Sequence, residues 1–224
     1  MAIYSVGDLS RREILKMSAV LSSPALAFST VAAAAEGAKL RRTPGQILGP
    51  FYPLKEFAQT ADLTRVPGRP GRAVGQVLHV MGRVLNLSGE PVRNATVEVW
   101  QANSYGRYSH PSDTNPALLD PNFDGSAVLS TDSEGRYRFK TIKPAAYPAG
   151  PDLIRPAHIH FQVSGRQDRL VTQLYFEGDP YNEKDPFLNS APGNDVLITK
   201  LKDPSPEFEP DSKVAIFDMV VFNG

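Results

Sequence analysis

The 224-residue sequence contains no cysteine, which removes disulfide staples, iron–sulfur clusters, thiolate zinc sites and a cysteine nucleophile together. Any bound metal would have to use His, Tyr, carboxylate or water. A chain without thiols is indifferent to redox compartment, so its location must be read from the N-terminus. Excess charge of either sign is also lacking. Lys plus Arg and Asp plus Glu are 24 each, so no summed field draws in nucleic acid or an anionic membrane, and no nucleic-acid partner is expected. Internal repeats and long amphipathic helical stretches are absent as well. What is plentiful is punctuation: 20 Pro and 17 Gly separate short runs rich in Val, Ile, Phe and Tyr. The length suits one domain with a real hydrophobic core.

The first 35 residues read as an address. Ser10-Arg11-Arg12-Glu13-Ile14-Leu15-Lys16 precedes a mild apolar run from Met17 to Ala35 that ends in four alanines. This resembles a twin-arginine signal peptide over residues 1–35, with Ile14 where Phe is commonest. Cleavage is expected after Ala35, with Ala27 as second choice. The run approaches the roughly 20 apolar residues that span a bilayer, but its alanine richness and its Ser18, Ser22, Ser23, Pro24, Ser29 and Thr30 distinguish it from an anchor. The expectation is export, to the periplasm or beyond, by the twin-arginine translocation machinery. That route carries folded proteins and suits a chain that acquires a metal before export.

Beyond the signal, residues 36–76 form a Pro- and Gly-rich lead, expected to be an extended arm. Short β-prone runs follow: Val77 to Leu87, Ala95 to Gln101, Ala127 to Asp132, Arg136 to Ile142, His158 to Val163, Leu170 to Phe176 and Val214 to Phe222. They predict an all-β fold over residues 77–224, an antiparallel β-sandwich of about 8 strands with long loops. The imperfect alternation around Trp100 places it against a second packed layer. Asp132-Ser133-Glu134-Gly135 is a hairpin signal, and Asp195 to Leu201 is expected to give one short helical turn.

The sharpest chemistry lies in Arg155-Pro156-Ala157-His158-Ile159-His160-Phe161. On a strand the side-chain period is two, so His158 and His160 share one face with Ile159 on the other. Two imidazoles fixed this way make half a metal site, although an H-x-H pair also fits partly buried structural histidines. His79 and His110 lack a comparable context and read as structural or pocket-lining, which leaves tyrosine as the informative alternative.

Several ordered motifs then carry a resemblance. Trp100-Gln101-Ala102-Asn103, Gly106-Arg107-Tyr108, Asp120-Pro121-Asn122-Phe123, Thr131 to Gly135, Thr141-Ile142-Lys143-Pro144, Tyr147-Pro148, Arg155 to Phe161 and Thr172 to Pro180 occur in the order seen in intradiol ring-cleavage dioxygenases. The chain most resembles the iron-bearing subunit of protocatechuate 3,4-dioxygenase, from about Thr43 to the C-terminus. The resemblance implies Fe(III) held by Tyr108, Tyr147, His158 and His160. Tyr105 competes with Tyr108, but the Gly-Arg-Tyr context matches at Tyr108; Tyr52, Tyr137, Tyr175 and Tyr181 read as aromatic packing. It further implies that a catechol-type aromatic diol chelates the iron in place of Tyr147, whose phenolate serves as base. O2 then cleaves the ring between the hydroxylated carbons to a cis,cis-muconate. Arg155 matches an active-site cation, with a surface ion pair as its other reading, Gln173 a neighbouring amide, and Gly49 and Pro50 a pocket-lining segment for the substrate.

Two departures bear on specificity. Ala149 stands where the family often has Trp, and the span from Tyr147 to Arg155 is short, so pocket size and substrate choice stay open. Nothing between Glu36 and Val77 resembles the helical linker domain of catechol and hydroxyquinol enzymes. Whether the chain assembles with itself or with a related chain, as a homo-oligomer or a hetero-oligomer, is also open. Gly82-Arg83-Val84 followed by Gly89-Glu90-Pro91-Val92 resembles transthyretin-like domains. This keeps a second reading alive, an exported non-catalytic module that binds phenolics.

Overall fold

The computed structural model describes residues 40–190 and 192–222, so the signal expected at 1–35 lies outside the described residues. The described chain is nearly all-β. Its strands are β1 (Val77–Leu85), β2 (Thr96–Gln101), β3 (Ser126–Ser130), β4 (Arg136–Ile142), β5 (Tyr147–Gly150), β6 (Leu153–Arg155), β7 (His158–Ser164), β8 (Arg169–Phe176), β9 (Ile198–Thr199), β10 (Lys213–Ile216) and β11 (Met219–Val220). Among the described residues, helical structure is confined to single 3-10 turns at Asn182–Lys184, Leu188–Ser190 and Asn194–Leu197. The turn expected from Asp195 to Leu201 therefore ends at Leu197, where the chain extends to pair with β8.

One sheet has β1 at its centre, with β4 on one side and β10 and β11 in succession on the other; the second has the order β3-β2-β7-β8-β9. Alternation explains which faces meet. In β4, Tyr137 and Phe139 are buried while Arg136 and Arg138 are exposed. In β7, Ile159, Phe161 and Val163 turn to the same interior. The sheets join there, with Phe161 packed against Tyr137, Phe139 and Phe217 at ring separations of 5.9, 6.1 and 5.3 Å. All belong to one hydrophobic cluster, which also takes Leu63 and Ala73 from the lead.

Three expectations need correction. The sheets are mixed, not purely antiparallel, because β10 and β11 run parallel to β1 and β9 runs parallel to β8. The segments before β9 and β10 are long enough to permit either direction, and periodicity carries no information about direction. Asp132 to Gly135 does form a tight turn, with Gly135 N donating to Asp132 O at 3.0 Å and Gly135 at φ 71°. The flanking strands, however, enter different sheets, β3 pairing β2 and β4 pairing β1. Turn chemistry fixes the reversal of the chain; the apolar faces decide the partners. Finally, the run from Val214 to Phe222 is interrupted at Phe217-Asp218. Phe217 O is so close to β1 that a Cβ on Gly82 would meet it at 1.9 Å, so the Gly82-Arg83-Val84 motif has a packing cause here.

Candidate metal centre

The sheet face turned away from the main core builds the site. Trp100, His160 and Gln173 lie opposite one another across β2, β7 and β8, and His158 lies opposite Tyr175. Directly paired residues point to the same face. Such a face would ordinarily be wet, yet His158, His160, Gln173 and Tyr175 are 1, 2, 0 and 0% exposed. Three coverings exclude water. The lead runs along β8, with Gln46 N donating to Val171 O at 2.8 Å and Thr172 Oγ1 to Pro44 O at 2.8 Å. The other two are the loop after β2 and the β5–β6 hairpin.

That loop carries Tyr108. Asn103 Oδ1 accepts from the backbone N–H groups of Tyr105 and Arg107 at 2.9 and 3.0 Å, and Asp113 accepts from Tyr108 N at 2.7 Å. Gly106, at φ 77°, lies so close to the hairpin's approach that a Cβ there would sit 2.6 Å from Ala146 O. Glycine at this position thus lets the loop rest beside Tyr147, and the Tyr108 and Tyr147 rings meet edge-on at 5.3 Å. In the hairpin, Tyr147 pairs directly with Arg155, and the register shifts between Pro148 and Gly150, leaving Ala149 out of register and exposed. The short span noted in the sequence is what makes Tyr147 and Arg155 cross-strand neighbours.

The donor atoms converge. Tyr108 Oη is 3.4 Å from His158 Nε2 and 3.1 Å from His160 Nε2, and the two Nε2 atoms are 3.2 Å apart. Ligands bound cis to one cation at about 2.0–2.2 Å stand about 3 Å apart, so the spacing fits a shared metal. The Tyr147 ring is 5.6 Å from that of His158. His158 Nδ1 lies 2.7 Å from Pro156 O, which only accepts, so Nδ1 carries the proton and Nε2 the lone pair. Burial and the Arg155 cation pull His158 down to about 3, and burial, His158 and Arg155 hold His160 well below its ordinary value. Both rings are held in the neutral form, so each carries a single N–H. Burial, with Tyr147 beside it, pushes the Tyr108 phenol well up. Burial also raises Tyr147, against the opposing pull of Arg155. Anionic phenolates here would need a strong positive charge between them. Among the described residues no three His, Asp or Glu side chains gather as a metal site, and the oxygen donor beside the two imidazoles is Tyr108.

Arg155 is no surface ion pair. Its Nε donates to Asp185 at 2.6 Å, and its Nη2 donates to Gln173 Oε1 at 2.7 Å and contacts Tyr175 Oη at 3.0 Å. Phe187 covers its guanidinium at 4.5 Å. Gln173 Nε2 in turn donates to Ile47 O at 2.9 Å.

The structure therefore brings Tyr108, Tyr147, His158, His160, Arg155 and Gln173 together. Gly49 also adjoins them, since a Cβ there would stand 3.2 Å from His160 Cε1; Pro50 is exposed on the following turn. Tyr105 is 41% exposed and uninvolved. His79 lies on β1 in the other sheet, bonded to Glu209 at 2.7 Å, while the His110 ring is tilted 55° to that of Phe51 at 5.8 Å. Reading Tyr175 as packing missed its part in the Arg155 network; its i+2 spacing from Gln173 on the neighbouring strand was the available signal. Asp185 and Phe51, whose ring lies 4.7 Å from that of Tyr108, gave no signal, because they reach the site only through long-range packing. A cavity of about 20 Å³, room for one water, is lined in part by Phe51, Trp100, Tyr108, His110 and Ser126.

Comparison with known proteins bears on the fold and the family. A sequence model of the family described as Dioxygenase matches residues 47–222. The protocatechuate 3,4-dioxygenase beta chain of Burkholderia cepacia is 51% identical over 145 residues, 62% of this chain and 62% of that relative. The hydroxyquinol 1,2-dioxygenase of Corynebacterium glutamicum is 30% identical over 220 residues, 92% of this chain and 67% of that relative. A solved catechol 1,2-dioxygenase from an Acinetobacter species superposes with a TM-score of 0.65 at 28% identity, covering 82% of this chain and 64% of that one. The chain thus spans less than two thirds of the Burkholderia and Acinetobacter proteins. Matched over most of its length in sequence and superposing on a solved member, the chain belongs to the intradiol ring-cleavage dioxygenase family.

Proposed function

We propose that this chain is an exported, Fe(III)-dependent intradiol dioxygenase that cleaves a catechol-type ring with O2, with iron held by Tyr108, Tyr147, His158 and His160. The observation that carries this reading is the convergence of Tyr108 Oη and two Nε2 atoms within 3.1–3.4 Å of one another in a buried, tyrosine-lined recess. Hard phenolate oxygens with imidazole nitrogens suit ferric iron better than a softer cation. Bound iron would supply the Lewis acidity that makes a chelated aromatic diol reactive towards O2.

The residues divide the remaining work. Tyr147 sits on a two-stranded hairpin outside the main sheets, so it is the donor best able to yield its place and accept a proton from the diol. His158 and His160, on the central strand β7, stay fixed. Arg155, beside Tyr147 in register, presents a cation to the anionic ring, and Gln173, Tyr175 and Asp185 hold it there. Gly49 leaves clearance at His160, and the Gly49-Pro50 turn borders the substrate. A protocatechuate-like or other substituted catechol is the proposed substrate, and a homo-oligomer or an assembly with a related chain the proposed state. A phenolic-binding module would have no use for three donor atoms converging beside a second buried tyrosine and is not favoured.

The purified protein is expected to be burgundy, to contain about one iron per chain and to consume O2 with protocatechuate, catechol or hydroxyquinol. Tyr108→Phe should weaken or abolish the visible band. A colourless, iron-free protein from iron-replete cells, inert towards all three diols, would overturn the proposal.

A further inference from the structure

We propose that Trp100 is the positioning residue for His160: the indole plate, in place of a hydrogen bond, sets the plane of that imidazole. This rests on the reading of the four donors as a metal centre. The two histidines are held in different ways. His158 is oriented through Nδ1 by Pro156 O at 2.7 Å. His160 Nδ1 is buried with no partner among the described residues, so no hydrogen bond on that side opposes rotation of the ring about its Cβ–Cγ bond. What opposes it is packing. The Trp100 and His160 rings stack at 4.7 Å with an interplanar angle of 11°, and the backbone at Gly49 closes on Cε1, where an added Cβ would stand at 3.2 Å.

The plate is itself braced. Tyr52 meets Trp100 edge-on at 5.1 Å, and its hydroxyl is fixed to Glu98 at 3.1 Å. Trp100 pairs directly with His160 across β2 and β7, so sheet register alone brings the rings together. The indole also lies outside the main core, in a separate cluster with Ala102, Tyr108 and Tyr147. Among Glu98, Gln162 and Gln173 on this face, the indole makes its aromatic ring pairs with His160 and Tyr52. Loss of the plate lets Nε2 swing away from the point it shares with Tyr108 and His158, and the metal must then re-order the ring on binding.

Trp100 is the single tryptophan of the chain, so its emission reports directly on the stack. Metal-free full chain titrated with gallium(III), a redox-inert probe, should show a Trp100 emission change that saturates at one equivalent. Trp100→Leu should keep its far-UV circular dichroism yet bind gallium(III) about three- to tenfold more weakly, as the loss of one aromatic pair implies. In the iron form its visible band should shift. Trp100→Phe, which keeps a ring, should restore both readouts towards wild type. A purely structural tryptophan would lower the melting temperature and leave affinity and band unchanged, and that result overturns the proposal. If Trp100→Leu does not fold, the wild-type titration decides: emission unchanged while gallium(III) binds stoichiometrically also overturns it. Wild type that binds neither gallium(III) nor iron instead removes the metal-centre reading itself.

Discussion

Arg155 and Asp185 are a buried ion pair in which each charge depends on its partners. Asp185 Oδ2 takes the Nε hydrogen of Arg155, while Oδ1 accepts from the backbone N–H groups of Phe187 and Leu188 at 2.9 and 2.7 Å. Removing one partner from such a pair leaves an uncompensated charge away from water. Asp185→Ala is therefore expected to lower stability by about 3–5 kcal/mol, measured by urea unfolding, and to reduce turnover by releasing Arg155. A loss under about 1 kcal/mol would mean the guanidinium finds water in the mutant. Arg155→Lys keeps the charge but not the fork, so it cannot serve Asp185, Gln173 and Tyr175 together; kcat should fall even where the protein stays folded. At this scale His158 and His160 were legible because strand periodicity puts them on one face. Arg155 was ambiguous between cation and surface pair, since burial is a property of the packed chain.

Among the elements, the strand pairing of β1 makes its own demand on sequence. The chain leaves the sheet at Phe217-Asp218 between β10 and β11, and Tyr137 Oη donates to Phe217 O at 2.5 Å while Phe217 N donates to Met81 O at 2.9 Å. With Phe217 O pressed over Gly82, Gly82→Ala forces backbone to move and should cost about 2–3 kcal/mol, seen as a lower thermal midpoint. An unchanged midpoint would show that this crossing is soft. A second clamp joins the segment before β10 to β1 and β4, where Glu209 bonds Lys140 and His79. The Lys140 hydrogen bond, opposed by partial burial and aided by His79, holds the Glu209 carboxyl down to about 2. A depressed carboxylate contributes stability that is present above its unfolded value, about 4.3, and lost as pH falls towards 2. The melting-point gap between wild type and Glu209→Gln should be open at pH 7 and close by pH 2–3; a gap that persists in acid would rule out this linkage. The interruption was not legible beforehand, because the Val214 to Phe222 run reads as one strand, and the Glu209 clamp was not because it joins segments far apart in sequence.

For the whole molecule, the separation of core and site governs what metal loss does. The main cluster contains Ile159, Phe161, Val163 and Leu174 but none of the four proposed ligands. Stripping the metal should leave the sheets folded while lowering the melting temperature, by mass action of a ligand that binds only the native state. At a free metal concentration about 100-fold above Kd that stabilisation is about 2.7 kcal/mol. His160→Ala should copy the stripped protein in both iron content and melting temperature, and global unfolding of either on calorimetry would contradict the separation. Export belongs to this scale too. The chain recovered outside the cytoplasm is expected to begin at Glu36, and replacing Arg11 and Arg12 together by Lys should retain it inside; efficient export of that variant would count against the twin-arginine reading.

The sequence by itself determined the all-β character, the strands near His158 and Gln173, and the shared face of the two histidines, because side-chain period and residue chemistry are local. It also excluded every thiolate option through the missing cysteine. Tertiary structure alone decided that Tyr108 and Tyr147 stand edge-on over β7, that Arg155 is buried, that Trp100 stacks on His160, and that β10 and β11 run parallel to β1. Each of these depends on segments far apart in sequence being covered by one another. Which surfaces lose their water is settled by the packing of the whole chain, and no local pattern encodes it.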